Sequence, residues 1–568
     1  MRARLQPVTQ LAVIVCFIPF AHAQVLPVSP EPVVGSPNIA SADPPVPRPP
    51  TTHCSVPLFR NEEFSDSNIK TFTYKPPAAC PGPWAKVVFT ADFTVSEGRQ
   101  YDRNAAFYLG HANIYYGTTA EPSANVSPSW HVERDVTDLS AIFKTAQSGE
   151  ANIGNFVGVH GGVTYNGIIY ANASLDFYKA SPSAPAATVP DIVVPLPDSD
   201  GGAVPVNTSA DQLTQTVQLP RNVERLYLDV IAQSQSRDEF WYFCAPNQLA
   251  KKLFTCGNTA FREVEVTLDG QPAGVAPVYP WIFSGGIDPD LWRPIPAVQT
   301  LSFKPYRVDL SPFAGLLSDG AEHTVALRVF NANRYFFAAA NLLVFTDHNS
   351  KANSGGILSN TLSEEPVPAV KENVVTASNE DVKGDVTITA KRTYEITGFL
   401  NTSHGRVETS VSGDVSFRNL QRYSINSVTY RQDVTQLTNV SQKTTVRSPF
   451  MIQQTERYFE FPLTVSYLQG ANADGTLFVT TNVDQAHNAR RIEGRNNSTI
   501  FAESAENHVI SSDTVNLDAA GKFLSNTGRA SWQEVKASDS MGGCFDKIIQ
   551  ASAGLVSAAG NGSSCFLL

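Results

Sequence analysis

The sequence lacks the short motifs that mark the commonest catalytic and nucleotide-binding sites. It contains no G-x-S-x-G stretch, no phosphate-binding loop, no dinucleotide fingerprint, no H-E-x-x-H and no C-x-x-C. These absences remove the usual support for an esterase, an ATPase, an oxidoreductase or a metalloenzyme. We therefore expect no cofactor and no metal. The chemistry that remains available is that of carboxylates, arginines and aromatic rings.

The chain also lacks a basic stripe and, beyond its first residues, a long apolar run. Its formal net charge is -11, which argues against nucleic acid as a partner. A membrane-spanning helix needs roughly 18 or more apolar residues in succession, and no stretch after the N-terminal segment approaches this. We expect a monomer with no membrane anchor.

The N-terminal segment, residues 1–23, has the pattern of a secretory signal peptide. Arg2 and Arg4 precede an apolar run over residues 11–20, and small residues lead up to Ala23. This arrangement predicts cleavage near Ala23 and a secreted protein, extracellular or periplasmic.

Cysteine is scarce, and its distribution favours disulfides over metal binding. One of the seven cysteines lies in the predicted signal peptide, which leaves six. Six cysteines allow fifteen pairings. The simplest of these closes three short loops, Cys54 with Cys80, Cys244 with Cys256, and Cys544 with Cys565.

Short alternating apolar runs separated by Gly, Pro, Asn and Ser predict an all-β fold. We expect two jelly-roll or β-sandwich domains side by side, followed by a third β-rich C-terminal region that buries its own core. Asp269-Gly270 is a hairpin-turn signal within the second domain. The predicted organisation is a mobile Pro-rich linker at 24–52, sandwiches at 53–180 and 208–349 with a linker at 181–207, a polar connection at 350–374, and the third region at 375–568.

A candidate working carboxylate lies where a turn enters an apolar strand. Asp102 and Arg103 follow the turn at residues 96–99 and precede the apolar run 105–109. Neighbours in a regular strand point to opposite faces, so both side chains reach one site only if a loop or bulge intervenes. The alternative is a surface pair that only solvates the strand entry.

Five motifs occur in a defined order along the chain: Gly98 to Arg103, Thr119 to Pro122, Asp238 to Tyr242, Phe261 to Val264, and Gly285 to Ile287 with Leu291 to Pro294. Together they resemble the plant and fungal peptide-N4-(N-acetyl-β-glucosaminyl)asparagine amidase A family. The stretch around Asp102 is also distantly similar to W-D-R-Y-A-N-V-Y-V of peptide:N-glycanase F. The resemblance implies that Asp102 is the principal catalytic residue and that Arg103 is a substrate or oxyanion donor.

The second carboxylate of peptide:N-glycanase F does not carry over to this chain. Its C-A-E-W-C-F-R stretch best matches residues 256–262, where Asn258 stands at the Glu position, and its third Glu meets residues 157–161, which hold no carboxylate. Glu239, crowded by aromatic residues, is our preferred replacement because desolvation raises a carboxyl pKa and suits it to donate a proton. The alternative is a solvent-facing Glu239 after a turn.

Further residues are predicted to bind substrate. Carboxylates and arginines hydrogen-bond sugar hydroxyls, and indole rings stack on sugar faces. For the arginines the alternative is a structural ion pair, and for the tryptophans it is the core. The substrate-binding candidates are Glu121, Glu263, Arg262, Arg293, Trp241 and Trp292, with Glu121 ranked after Glu239 as the second carboxylate.

These features predict an amidase that cleaves the bond between the innermost N-acetylglucosamine and asparagine of N-glycoproteins or glycopeptides. The intact glycan is released and aspartate remains. We expect Asp102 and the stretch 238–242 to face one cleft between the first two domains. The alternatives are a noncatalytic carbohydrate-binding or adhesion protein and an endo-acting glycoside hydrolase, which cuts between sugars with two carboxylates.

Overall fold

The computed structural model describes residues 31–566, and they form an almost entirely β protein. The predicted signal peptide, residues 1–23, lies outside the described residues. Within them, no helix is long and apolar enough to cross a membrane. The helical pieces are single turns: α1 (Asn247–Ala250) and the 3-10 turns Thr137–Leu139, Ile142–Lys144, Ser236–Asp238, Trp241–Phe243, Pro289–Trp292, Ser311–Phe313 and Ser564–Phe566.

The first domain is a sandwich of two antiparallel four-stranded sheets. Its strands are β1 (His53–Phe64), β2 (Lys70–Tyr74), β3 (Trp84–Val95), β4 (Asn104–Leu109), β5 (Ala112–Thr118), β6 (Ser129–Asp135), β7 (Gln147–Ile153), β8 (Gly158–His160), β9 (Val163–Tyr165) and β10 (Ile169–Lys179). The sheet orders are β1-β10-β3-β6 and β2-β7-β4-β5, and β8 and β9 form a separate hairpin. Buried rings such as Phe89, Phe107 and Tyr115 fill the space between the sheets.

The second domain is a sandwich that begins earlier than the sequence suggested. Its strands are β11 (Ile192–Leu196), β12 (Val204–Thr208), β13 (Leu213–Gln218), β14 (Val223–Ser234), β15 (Glu263–Leu268), β16 (Gln271–Pro277), β17 (Tyr306–Asp309), β18 (Glu322–Phe330) and β19 (Asn333–Thr346). The predicted linker at 181–207 therefore contributes two strands, both of which pair with β19. Prolines are tolerated there because β11 and β12 lie at the sheet edge. Asp269 and Gly270 both have positive φ in the predicted hairpin turn between β15 and β16.

The two sandwiches lie side by side, as expected. Asn113 and Asn341 exchange hydrogen bonds across the junction, from Asn113 N to Asn341 Oδ1 (3.2 Å) and from Asn341 Nδ2 to Asn113 O (3.0 Å). The predicted disulfides Cys54–Cys80, Cys244–Cys256 and Cys544–Cys565 are all present.

The third region is one long antiparallel sheet of eleven strands, which we call the long sheet. Its strands are β20 (Ser354–Asn360), β21 (Ala369–Thr376), β22 (Val382–Thr402), β23 (Gly405–Ile425), β24 (Thr429–Arg447), β25 (Ile452–Ala471), β26 (Leu477–Arg495), β27 (Ser498–Leu517), β28 (Phe523–Asp539), β29 (Cys544–Ser552) and β30 (Leu555–Asn561). A strand of 21 residues such as β22 spans roughly 70 Å.

The long sheet does not bury a core of its own, contrary to our expectation. Buried residues alternate with half-buried or exposed ones along most of β22 and β23, so one face is covered and the other is more open. The covered face, with Val386, Ile388 and Val434, joins the core of the second sandwich. Alternation alone does not distinguish a sandwich layer from a single sheet that packs on another domain.

The Pro-rich segment is packed within residues 31–52, which differs from the predicted mobile spacer. Ala40 and Ala42 are buried against Val535 and Ile549 of the long sheet. Arg48 binds both carboxylate oxygens of Glu133 on β6, at 2.6 and 2.9 Å. Small apolar residues between the prolines thus allow this extended segment to bury part of its surface against the long sheet.

The covered face of the long sheet packs on other parts of the chain and not on a second layer of its own. The long sheet should therefore not fold alone. Each apolar side chain left exposed on that face loses about 1.5–3 kcal/mol of burial free energy. We expect a fragment of residues 350–568 to lack a cooperative thermal transition and to bind a hydrophobic dye, as measured by circular dichroism and fluorescence. A sharp two-state transition of the isolated fragment would contradict this.

Candidate active site

Asp102 lies in the irregular turn just before β4 and is partly buried. Its Oδ2 accepts a hydrogen bond from the backbone N–H of Gly285 in the second domain, at 2.8 Å. Burial raises the pKa of Asp102 above its ordinary value, while the Gly285 N–H and the charge of Arg103 oppose this rise. Asp102 and Arg103 both precede β4, so their side chains need not point to opposite faces of a regular strand.

Glu121 lies next to Asp102 in the segment that follows β5. Its Oε2 is 3.3 Å from the backbone N–H of Asp102, and Arg293 holds it from the other side. Arg293 Nε donates to the Glu121 carbonyl at 2.5 Å, and its Nη2 is 3.5 Å from Glu121 Oε1. Burial and then the charge of Asp102 raise the pKa of Glu121 to about 7, against the opposing charge of Arg293. Glu121 is therefore part of a carboxylate cluster.

Glu239 belongs to the same cluster and comes from the second domain, between the 3-10 turns at Ser236–Asp238 and Trp241–Phe243. Burial, followed by the charges of Asp102 and Glu121, raises the pKa of Glu239 to about 7. No arginine lowers the pKa of Glu239, in contrast to Glu121. Burial and the neighbouring carboxylates thus favour the protonated form of Glu239 up to near neutral pH.

The cluster lies at the junction of the two sandwiches, where we expected a cleft. Asn104 at the start of β4 accepts hydrogen bonds through its Oδ1 from Gln233 Nε2 (2.5 Å) and Gln235 Nε2 (3.1 Å) of the second domain. These amides fix the first domain's Asp102 relative to the turn that carries Glu239.

Arg103 supplies hydrogen-bond donors beside the carboxylates. It is 7% exposed, and its guanidinium carbon lies 3.3 Å from the centre of the Tyr101 ring. Its Nη1 donates to the Asp102 carbonyl at 3.2 Å. The Nε and Nη2 groups are buried and have no hydrogen-bond partner within residues 31–566. Two buried donors without a protein partner thus lie beside the carboxylate cluster.

The structure buries the two candidate tryptophans. Trp241 and Trp292 are each 1% exposed, so neither presents a ring face to a sugar. Trp241 packs near Phe417 of the long sheet. Trp292 Nε1 donates to the Gly286 carbonyl at 2.9 Å and so supports the turn that presents the Gly285 N–H.

Arg262 and Glu263 are also buried, and the structure does not bring them into the cluster. Arg262 Nη2 is 2.7 Å from Asp238 Oδ1 in a fully buried ion pair, next in sequence to Glu239. Glu263 is 1% exposed and lies 3.3 Å from Arg392 Nη1 of the long sheet. Burial raises the pKa of Glu263 to about 8. Arg262 thus supports the turn before Glu239, and Glu263 lies at the interface with the long sheet.

Sequence reasoning gave Gly285 no role, although it lies in one of the five motifs. A Cβ at this position would overlap Glu121 Oε2 and lie 3.0 Å from Asp102 Oδ1. Glycine is therefore required by the close approach of two carboxylates to the backbone. A backbone N–H donor cannot be recognised from the residue type of a motif. The Gly285-Gly286 pair was the one feature of the sequence that pointed to a close approach to the backbone here.

Carboxyl groups with raised pKa values, grouped with unpaired donors at a domain junction, are typical of a site for acid–base chemistry. Residues 44–363 match the family described as peptide N-acetyl-beta-D-glucosaminyl asparaginase amidase A. A relative from Prunus dulcis, peptide-N4-(N-acetyl-beta-glucosaminyl)asparagine amidase A, is 30% identical over 396 residues, 66% of this chain and 67% of the relative. This chain belongs to that family, and the sequence-based assignment is confirmed.

Two solved structures are more distantly similar. PNGase F, a glycosylasparaginase from Flavobacterium meningosepticum, has a TM-score of 0.35 and 12% identity, and the match covers 52% of this chain and 96% of that one. PNGF-II has a TM-score of 0.36 and 13% identity, covering 52% and 66%. At these values neither structure bears on the roles of individual residues.

The Gly285→Ala variant tests the carboxylate cluster. The added methyl group must displace the Glu121 carboxylate and disturb the Asp102 contact, and misplacement by about 1 Å costs on the order of a hundredfold in rate. We expect kcat to fall by about that factor with little change in melting temperature. Gly356→Ala, on β20 with open space around its Cβ position and no positive φ, is the matched control. Wild-type kcat in Gly285→Ala would contradict the proposed geometry.

Proposed function

We propose that this protein hydrolyses the amide bond between the innermost N-acetylglucosamine and the asparagine side chain of N-glycoproteins or glycopeptides. The observation that carries the proposal is the grouping of Asp102, Glu121 and Glu239 beside the free donors of Arg103. The three disulfides are typical of an exported protein and support action outside the cytoplasm.

In this proposal Asp102 is the general base. Its carboxylate takes a proton from water, and the water oxygen attacks the side-chain carbonyl carbon of the glycosylated asparagine. The Gly285 N–H, 2.8 Å from Oδ2, holds the carboxylate in one orientation. Arg103 Nε and Nη2 stabilise the negative charge that develops on the carbonyl oxygen.

Glu239 acts as the general acid. Its raised pKa keeps it protonated in mildly acidic solution, so it gives its proton to the amide nitrogen as the carbon–nitrogen bond breaks. The glycan leaves as a glycosylamine, and aspartate remains in the peptide. Glu121, held by Arg293, accepts substrate hydrogen bonds and sets the local negative charge.

The remaining predicted substrate-binding residues support the site in this account. Trp292 supports the Gly285 turn and Arg262 supports the Glu239 turn. Trp241 and Glu263 pack against the long sheet. Arg293 is the arginine that contacts the carboxylate cluster from the second domain.

The products distinguish the three functions considered. Amidase action converts the glycosylated asparagine to aspartate, an endoglycosidase leaves one sugar on the peptide, and a binding protein leaves the glycopeptide intact. We expect mass spectrometry of a digested glycopeptide to show the peptide with aspartate and the complete glycan. A peptide that retains one N-acetylglucosamine would overturn the proposal in favour of a glycosidase.

Replacing Asp102 with Asn should abolish turnover while the protein remains folded. Asparagine keeps the size and the acceptor for the Gly285 N–H but cannot take a proton from water. Loss of the base costs on the order of 10²-fold to 10⁴-fold in kcat. Paired measurements of kcat and melting temperature check this, and full turnover by the variant would remove the catalytic role of Asp102.

Glu239→Gln should change both the pH profile and the stability. In the wild type we expect activity to fall as pH rises through about 7, an apparent value shared by the coupled pair Glu239 and Glu121. The variant should lose kcat less completely than Asp102→Asn, and its alkaline limb should move.

The stability effect of Glu239→Gln has a defined sign. Between the usual pKa of 4.5 and about 7, the folded protein binds more protons at Glu239 than the unfolded chain does, so stability falls as pH rises through this window. Glutamine removes this dependence, and its melting temperature should exceed that of the wild type at about pH 8 but not at about pH 4. Equal differences at both pH values would contradict a buried, proton-binding Glu239.

A further inference from the structure

The segment 285–293 carries two groups that contact the carboxylate cluster, and it has little regular structure of its own. At one end the Gly285 N–H binds Asp102, and at the other end Arg293 binds Glu121. Between them lies a single 3-10 turn, Pro289–Trp292. A segment without a regular ladder needs partners from elsewhere for its backbone groups and for its position.

Arg529 on β28 of the long sheet provides most of these partners. Its Nε donates to the Asp290 carbonyl at 2.9 Å, and its Nη2 donates to the Arg293 carbonyl at 3.1 Å. Its Nη1 lies 3.2 Å from Asp290 Oδ1. One guanidinium thus binds two backbone carbonyls and one carboxylate of the same short segment, a geometry that lysine cannot reproduce.

Two other side chains of the long sheet also bind the segment 285–293. Ser511 Oγ on β27 donates to the Leu291 carbonyl at 2.7 Å. Asn526 Nδ2 on β28 donates to Asp290 Oδ2 at 3.0 Å. The segment is therefore bound at Asp290, Leu291 and Arg293 by side chains from two adjacent strands.

A chain of ion pairs links Arg529 to Glu121 through Asp290 and Arg293. Asp290 Oδ1 is bound by Arg293 Nη1 at 2.7 Å and also by Arg529. The groups that act on Glu121 are Asp102, Arg103 and Arg293, and of the two arginines it is Arg293 that the segment holds in place. Without Arg529, Asp290 has only Arg293 as a cationic partner, and the Arg293 guanidinium is drawn from Glu121 towards Asp290.

We propose that Arg529 is a positioning residue for the amidase reaction, fixing the segment 285–293 so that Gly285 orients Asp102 and Arg293 orients Glu121. The inference rests on the proposed function for its catalytic consequence. The contacts of Arg529 with the segment do not depend on that function. The long sheet then serves as part of the catalytic scaffold of the enzyme.

The test uses the full-length protein with Arg529→Gln, Arg529→Lys and the matched control Arg491→Gln. Arg491 lies on the same sheet and has comparable ion pairs, with Glu493 and Glu503. Kinetics on a glycopeptide are measured from about pH 4 to about pH 9. Hydrogen–deuterium exchange of the peptide that covers 285–293 is followed in parallel.

For Arg529→Gln we expect a kcat lower by about tenfold or more, because the reacting groups lose their alignment. The alkaline limb of kcat/KM should move to higher pH, since the positive charge that favours ionised Glu121 is displaced. Exchange in 285–293 should accelerate. Arg529→Lys should fall between the wild type and Arg529→Gln, and Arg491→Gln should match the wild type in all three measurements.

Unchanged kcat, unchanged pH limb and unchanged exchange in Arg529→Gln would overturn the proposal. A loss of kcat at every pH, with the limb and the exchange rate in place, would show a merely structural role and would also overturn it. If Arg529→Gln does not fold, Arg529→Lys and Ser511→Ala decide by the same readouts. Absence of glycan release by the wild type would refute the proposed function, whereas the exchange comparison still decides whether Arg529 holds the segment.

Discussion

The site depends on holding three partly buried acidic side chains close together. Asp102, Glu121 and Glu239 repel one another, and burial raises the pKa of each. Such a carboxylate cluster persists only if donors and cations surround it and the backbone is held rigid, because bringing like charges together in a low dielectric is costly. The Gly285 N–H and Arg293 meet the first need. Their contacts also explain why the two sandwiches must meet at one fixed geometry.

The long sheet holds the backbone around the carboxylate cluster rigid, and it does so with a row of polar side chains. Asn419 Nδ2 and Gln421 Nε2 donate to the carbonyls of Tyr242 and Cys244, each at 3.0 Å. This stretch directly follows Glu239. On later strands Arg529 and its neighbours bind the segment that carries Arg293, as described above. Both irregular segments of the second domain that supply the site therefore rest on the same sheet.

Much of this architecture could be predicted from local pattern. Alternation identified the strands, the Asp269-Gly270 turn has the positive φ values that a tight hairpin requires, and the short loops between cysteines predicted the disulfides that the structure contains. Asp102 could be singled out as a candidate because a turn, a charge pair and a strand follow one another in sequence, and the family resemblance then gave it the catalytic role. Each of these features depends on residues that are close along the chain.

What could not be predicted depends on partners that are distant in sequence. Strands of the long sheet alternate in the same way whether they face a second layer or another domain. Whether Trp241 lies in the core and whether Arg262 forms a structural ion pair could not be decided for the same reason, since Phe417 and Asp238 reach them only in the fold. The contacts of Gly285 and Arg529 could not be predicted either, because Asp102 and the carbonyls of Asp290 and Arg293 are distant from them in sequence.

The central claim is that the cluster of Asp102, Glu121 and Glu239 is where the glycosylated asparagine reacts. The most direct measurement is a crystal structure of Asp102→Asn with an intact glycopeptide. The account predicts that the asparagine side-chain amide lies at the sandwich junction, with its nitrogen facing Glu239 and its carbonyl oxygen within hydrogen-bond reach of Arg103. A glycopeptide bound elsewhere, with the three carboxyl positions free of it, would contradict the account.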